Sequence, residues 1–186
     1  MRIAVFCSSS PTIHGKYIEL ASDLGIAIGV RNWDLVSGGG HISMMGAVAR
    51  GVRTGGGRTI GVIPQALVDI EFADNESHEL HVVASMRERK ALIEEKSDAF
   101  IALPGGPGTL EELFEIWVGR FLKFHDKPVI ILDPFDLYAP LRDLLDHLEV
   151  EGFVKPGQRE LLQWCRTIDE ALTACDGKPS HGRQSG

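Results

Sequence analysis

Two stretches of this 186-residue chain bring together side chains that could do chemistry: Met86-Arg87-Glu88-Arg89-Lys90, and Pro104-Gly105-Gly106-Pro107-Gly108-Thr109-Leu110-Glu111-Glu112. The second starts where an apolar run, Ala99–Leu103, ends. Backbone N–H groups can close on an anion only where no Cβ intervenes, and glycine also permits positive φ. If Thr109 opens a helix, the unpaired amides of the first turn add the positive end of a dipole, and the loop becomes a phosphate site. Taken alone, the loop fits equally well as a tight strand-to-helix turn with an ordinary threonine cap. A second glycine-rich loop, Ser37-Gly38-Gly39-Gly40, follows another strand-like run and favours the phosphate reading.

The basic cluster follows the run Glu79–Val83, and Ser85 is placed to cap the helix that carries it. On that helix Arg87 and Lys90 are i,i+3 neighbours, while Arg89 points roughly 200° away from Arg87. One basic side chain is therefore expected in solvent and another toward the site. A solvated, ion-paired face is the plainer account, but the i,i+4 successors of Arg87 and Arg89 are apolar Ala91 and Ile93.

Glu112 also has two readings. Thr109-x-x-Glu112 fits a capping box in which the glutamate folds back on the cap amide, and the physics of the sequence alone puts this first. A carboxylate beside a bound sugar phosphate is, however, what N-glycoside cleavage needs. The transition state builds positive charge on the ribose, and the same group can deprotonate water.

The elements that must hold these residues are legible as alternation. Short apolar runs (Ile3–Cys7, Trp33–Ser37, Thr59–Ile63, Glu79–Val83, Ala99–Leu103, Pro128–Leu132) alternate with amphipathic stretches from about His14 to Val30, Ser43 to Arg53, Met86 to Lys96, Leu110 onward, and Asp136 to Val150. Strands apolar on both faces and separated by helices imply an α/β, Rossmann-like, doubly wound and mainly parallel sheet with helices on both faces. Ligands bind beyond the carboxyl ends of such strands, where Cys7-Ser8-Ser9-Ser10 and both glycine loops fall. Residues 1–175 read as one domain, residues 176–186 as a polar tail, and the stretch around Trp164 as short helical pieces.

Composition excludes several classes. Apolar residues at 44% and charged residues at 24% are ordinary globular values, and a net charge of −7 argues against a nucleic-acid binder. No segment reads as a signal peptide or a membrane span. The three cysteines form no CxxC pair and fit a reducing cytoplasm. Gly38–Gly46 lacks the G-x-G-x-x-G spacing, no acidic residue ends the third strand, and no GK[ST] follows the glycines. A nicotinamide enzyme or an ATPase is therefore disfavoured against a mononucleotide.

The basic cluster paired with PGGPGTLEE resembles the Lonely Guy (LOG) family of cytokinin riboside 5′-monophosphate phosphoribohydrolases, often mislabelled lysine decarboxylases. The likeness continues through VFCSSS, SGGGHISMMGAV, GVIP, DAFIALPGG and HDKPV, almost the whole chain. It implies hydrolysis of the N-glycosidic bond of purine nucleoside 5′-monophosphates to free base and ribose 5-phosphate. It makes Arg89 and Glu112 catalytic, which reverses the preference for a cap at Glu112. Glu71, Lys90 and the stretch Gly105, Gly106, Pro107, Gly108, Thr109, Leu110 and Glu111 become substrate-binding, together with Ser9, Gly39 and Gly40. Members are homodimers, or assemblies of dimers, and use no metal; no cofactor is expected. The chain departs from the family at Val118, where Thr is usual, and at Gly119-Arg120-Phe121, a wall expected to face the base or its N6 substituent. Decarboxylation would need pyridoxal phosphate on a Schiff-base lysine, and no lysine is singled out for that role.

Other residues have blander readings. Cys7 could be a nucleophile but fits better as a small buried residue, and His78 and His81 flank a strand without a third metal ligand. Met44, Met45 and Val48, with Phe114 and Trp117, read as core or dimer packing. The rival function is a non-catalytic nucleotide or molybdenum-cofactor carrier on the same fold, against which the retention of Arg89 and Glu112 weighs.

Overall fold

The central strands are mostly apolar because both faces of the sheet are covered there, whereas the edge segment Glu79–Val83 leaves Leu80 and Val82 exposed. The computed structural model describes residues 1–68 and 73–177. In chain order the elements are β1 (Arg2–Phe6), α1 (Gly15–Val30), β2 (Asp34–Ser37), α2 (Ser43–Thr54), β3 (Thr59–Pro64), α3 (Gln65–Val68) and β4 (Glu79–Val83). There follow α4 (Met86–Lys96), β5 (Ala99–Ala102), α5 (Pro107–Phe121), β6 (Val129–Leu132), α6 (Ala139–Val150), α7 (Pro156–Arg159), β7 (Leu162–Cys165) and α8 (Ile168–Cys175).

The seven-stranded sheet has the order β4-β3-β2-β1-β5-β6-β7, with every neighbouring pair parallel. The chain builds outward from β1 to β4 and then returns to β5 on the other flank of β1. The winding direction reverses between β1 and β5, where such sheets open a crevice. Ile3 pairs with Leu35 on one side and Ala99 on the other. Alternation then divides the core. Ile3, Val5, Leu35 and Ile101 pack with α1, α2 and α8 on one face, and Ala4, Phe6, Val36 and Phe100 pack with α4, α5 and α6 on the other. This is the doubly wound α/β architecture that the alternation implied.

Helices α1 and α2 touch backbone to backbone. A Cβ on Gly25 would lie 2.3 Å from Val48 O, and one on Gly51 would lie 2.4 Å from Ser22 O. At that separation only glycine fits.

Three boundaries differ from the sequence reading, each for a local reason. β7 occupies the stretch around Trp164 that read as helical pieces. It is a four-residue edge strand interrupted by half-buried Gln163, too short to show an alternation. α5 starts at Pro107 rather than near Leu110, because Gly106 is its N-cap and proline suits the first helical position. α6 starts at Ala139 rather than Asp136. The Asp133 carboxylate accepts hydrogen bonds from the amides of Phe135, Leu137 and Tyr138 and winds the chain into a turn first. Asp176 caps the end of α8, and residues 178–186 of the expected tail lie outside the described residues. No described helix is long and apolar enough to cross a membrane.

Candidate active site

Where the winding reverses, the carboxyl ends of β1, β2 and β5 open a cleft of about 410 Å³. Ser8, Ser9 and Ser10 enter it from the β1 loop, Gly38 from the β2 loop, and Gly106–Thr109 with Glu111 and Glu112 from the start of α5. Met45, Leu67 and Met86 form an apolar wall.

No side chain caps α5, and Pro107 takes its first position. The amides of Gly108 and Thr109 are therefore left without intrahelical partners at the positive end of the helix. Thr109, only 4% exposed, is the third residue of the helix and not its cap. It packs on Gly105, where a Cβ would lie 2.2 Å from Thr109 Oγ1. Because the cap is Gly106, Thr109-x-x-Glu112 forms no capping box. Glu112 instead stands in the second turn, half-buried, and lines the cleft.

Arg89 reaches the cleft from α4. Ser85 Oγ caps that helix by accepting from the Glu88 amide, as expected, and the Glu88 carboxylate accepts in turn from the Ala84 amide. Arg87 is exposed while Arg89 is 6% exposed, the division that the helical spacing required. The Arg89 guanidinium donates to Gly38 O at 3.3 Å and to the Met86 sulfur at 3.6 Å. Its buried Nε finds no partner among the described residues. A buried cation with an unused donor on a cleft wall is poised for an anion or a sugar hydroxyl.

Most of the other residues singled out by sequence stand away from the cleft. Lys90 does not line the cleft. Its ammonium bridges α4 and α5 through Glu111 at 2.5 Å and Glu115 at 2.6 Å, and these hydrogen bonds, Glu111's first, raise its pKa. Gly39 and Gly40 turn the chain behind the cleft. Gly39 has φ 76° and accepts the Asp74 amide at 2.8 Å, while Gly40 bridges to Ala73. Gly105 shapes the turn beneath the cleft, Leu110 packs against the α4–α6 core, and Glu71 lies outside the described residues. Cys7 lines the cleft, but burial and then the Glu112 carboxylate push its pKa up, away from thiolate nucleophilicity. His78 Nδ1 accepts the Thr59 amide at 3.1 Å, and His81 lies 3.5 Å from Glu79, so both serve the β3–β4 edge.

Of the two packing readings, core packing holds for Met44, Val48 and Trp117, and a dimer surface does not. Met44 and Val48 are fully buried within the protomer and Trp117 is 2% exposed, so they offer no dimer surface. Met45 belongs to the cleft. Val118 is exposed, Arg120 donates to Leu161 O, and neither lines the cleft, whose apolar lining includes Met45, Leu67 and Met86. Leu67 stands in no sequence motif, and Met86 lines the cleft from within the basic cluster. Their signal was position alone, just beyond the ends of β4 and β3.

A family model described as "Possible lysine decarboxylase" matches residues 45–175. The chain is 49% identical over 173 residues to a Mycobacterium tuberculosis protein named cytokinin riboside 5′-monophosphate phosphoribohydrolase, covering 93% of this chain and 92% of that one. The chain belongs to this family. A further member of the family, the phosphoribohydrolase of the same name from Rhodococcoides fascians, is 42% identical over 92% of this chain and 87% of its own length. Among solved structures, the molybdenum cofactor binding protein of Rippkaea orientalis superposes with a TM-score of 0.73 at 21% identity, covering 95% of each chain. That likeness shows the shared fold alone. The decarboxylase description would require a lysine for pyridoxal phosphate. None lines the cleft among the described residues, and Lys90 is held by two carboxylates, so that cofactor does not fit here.

Proposed function

We propose that this family member hydrolyses the N-glycosidic bond of purine nucleoside 5′-monophosphates, releasing the free base and ribose 5-phosphate. The observation that carries the reading is the meeting of Glu112, buried Arg89 and the uncapped start of α5 in one cleft. The phosphate binds the amides of Gly106, Gly108 and Thr109, with Ser9 on the facing loop. The base lies along Met45, Leu67 and Met86. Glu112 stabilises the positive charge that develops on the ribose as the C1′–N9 bond breaks. The bond's electron pair leaves with the base. A water attacks C1′ and gives up a proton to Glu112, which passes it to the departed base nitrogen and is ionised again. Arg89 orients the ribose through its unused donors. Lys90 acts one step back, holding the Glu111 end of α5.

A non-catalytic carrier would need the anion site but no carboxylate beside the sugar, so Glu112 favours the enzyme. We further propose a cytoplasmic homodimer. Its free cysteines suit a reducing compartment, and exposed Val118, Leu122 and Phe124, at 39%, 52% and 77%, offer the apolar surface that Met44 and Val48 do not. Sedimentation as a monomer at micromolar concentration would remove the dimer.

Chromatography of the chain incubated with AMP tests the activity. Adenine and ribose 5-phosphate are expected in equal amounts. Adenosine should react on the order of 10²-fold less efficiently, because it lacks the phosphate held by charge-assisted hydrogen bonds. AMP left intact, or equal turnover of the two, contradicts the reading.

A further inference from the structure

Pro104 fixes one φ of the turn Pro104–Gly106, but the Gly-Gly pair that follows, left free, samples many conformers. Its order comes from the segment that follows β6. Tyr138, 5% exposed at the N-cap of α6, places its hydroxyl 3.0 Å from Gly105 O and 3.2 Å from Leu103 O, donating to the two carbonyls that bracket Pro104. Tyr138 is itself held from behind. Its amide donates to Asp133 at 2.7 Å, and Asp133, 1% exposed, also takes the Phe135 and Leu137 amides.

We infer that Tyr138 is a positioning residue for phosphate binding, its hydroxyl fixing the Gly105 carbonyl so that the Gly106 amide is turned to the cleft. In a trans peptide the C=O and N–H point in opposite directions. Holding Gly105 O against Tyr138 therefore sends the Gly106 N–H the other way, and Gly106 lines the cleft. Burial raises the pKa of the phenol, so the hydroxyl stays protonated and remains a donor. This role rests on the reading of the cleft as a nucleotide site.

Tyr138→Phe removes one oxygen and keeps the ring. Its ribose 5-phosphate affinity, by titration calorimetry, and its kcat/KM for AMP should each fall about five- to tenfold, the effect of one lost hydrogen bond. The kcat/KM for adenosine should not change, because adenosine has no phosphate to misplace. Equal losses for AMP and adenosine, or an unchanged ribose 5-phosphate affinity, would overturn the role. A wild-type chain that binds ribose 5-phosphate but leaves AMP intact would sink the hydrolase reading alone. The fall in ribose 5-phosphate affinity in the variant would then still support Tyr138. A wild-type chain that does not bind ribose 5-phosphate overturns both. If Tyr138→Phe unfolds, Asp133→Asn weakens the anchor of the same tyrosine and must show the same selective loss.

Discussion

Arg89 Nη2 lies 3.3 Å from Gly38 O, in space that exists because Gly38 has no side chain: a Cβ there would be 1.8 Å from that nitrogen. The glycine loop after β2 thus contributes a vacancy that lets a buried guanidinium reach the cleft from the opposite wall.

Gly38→Ala should therefore act on turnover through Arg89. A displaced guanidinium no longer orients the ribose, and misplacement by about 1 Å can lower a rate on the order of 10²-fold. We expect a loss of that order in kcat/KM for AMP, with thermal unfolding near that of the wild type. Unchanged kinetics would show that Arg89 has a second productive position.

Gly51→Ala should do the reverse. The new Cβ would meet Ser22 O at 2.4 Å across the α1–α2 contact, on the sheet face away from Glu112 and Arg89. Overpacking of this kind costs about 1–3 kcal/mol, to be read by urea unfolding, while kcat per folded molecule stays the same. Undiminished stability would mean that the helices separate freely.

Burial raises the thiol pKa of Cys165 from 9.0 to about 11 and that of Cys175 from 9.0 to about 12. Between about pH 9 and these values the unfolded chain releases protons that the folded chain keeps, so stability falls as pH rises through that window. Urea midpoints should drop from about pH 8 to about pH 10.5, and Cys175→Ala should flatten the decline. An identical decline in that variant would assign it to other groups.

The parts of the molecule that sequence revealed were those governed by local chemistry. Runs such as Ile3–Cys7 and Ala99–Leu103 declared a sheet buried on both faces, and helical spacing alone separated buried Arg89 from exposed Arg87. Features set by packing across the fold were hidden. Nothing near Gly38 announces that its missing side chain serves a residue on α4. Lys90 stood in the same cluster as Arg89, yet its spacing from Glu111 and Glu115 became an ion pair only once α4 and α5 lay side by side. Thr109 looked like a cap because Ser/Thr-x-x-Glu is a local pattern, but Gly106 and Pro107 begin the helix one turn earlier. The contacts of Tyr138 join residues 33 and 35 positions apart, beyond the reach of any local pattern.

Glu112→Gln tests most directly whether the Glu112 carboxylate acts on the transition state for N-glycoside cleavage. Glutamine keeps the size and hydrogen-bonding reach but removes the charge that stabilises an oxocarbenium-like ribose. Single-turnover release of adenine from AMP, measured beside the Kd for AMP, should show a loss of 10²-fold or more in rate, of the order seen when an electrostatic stabiliser is removed, with nearly unchanged binding. Adenine release at a rate near that of the wild type would contradict the account.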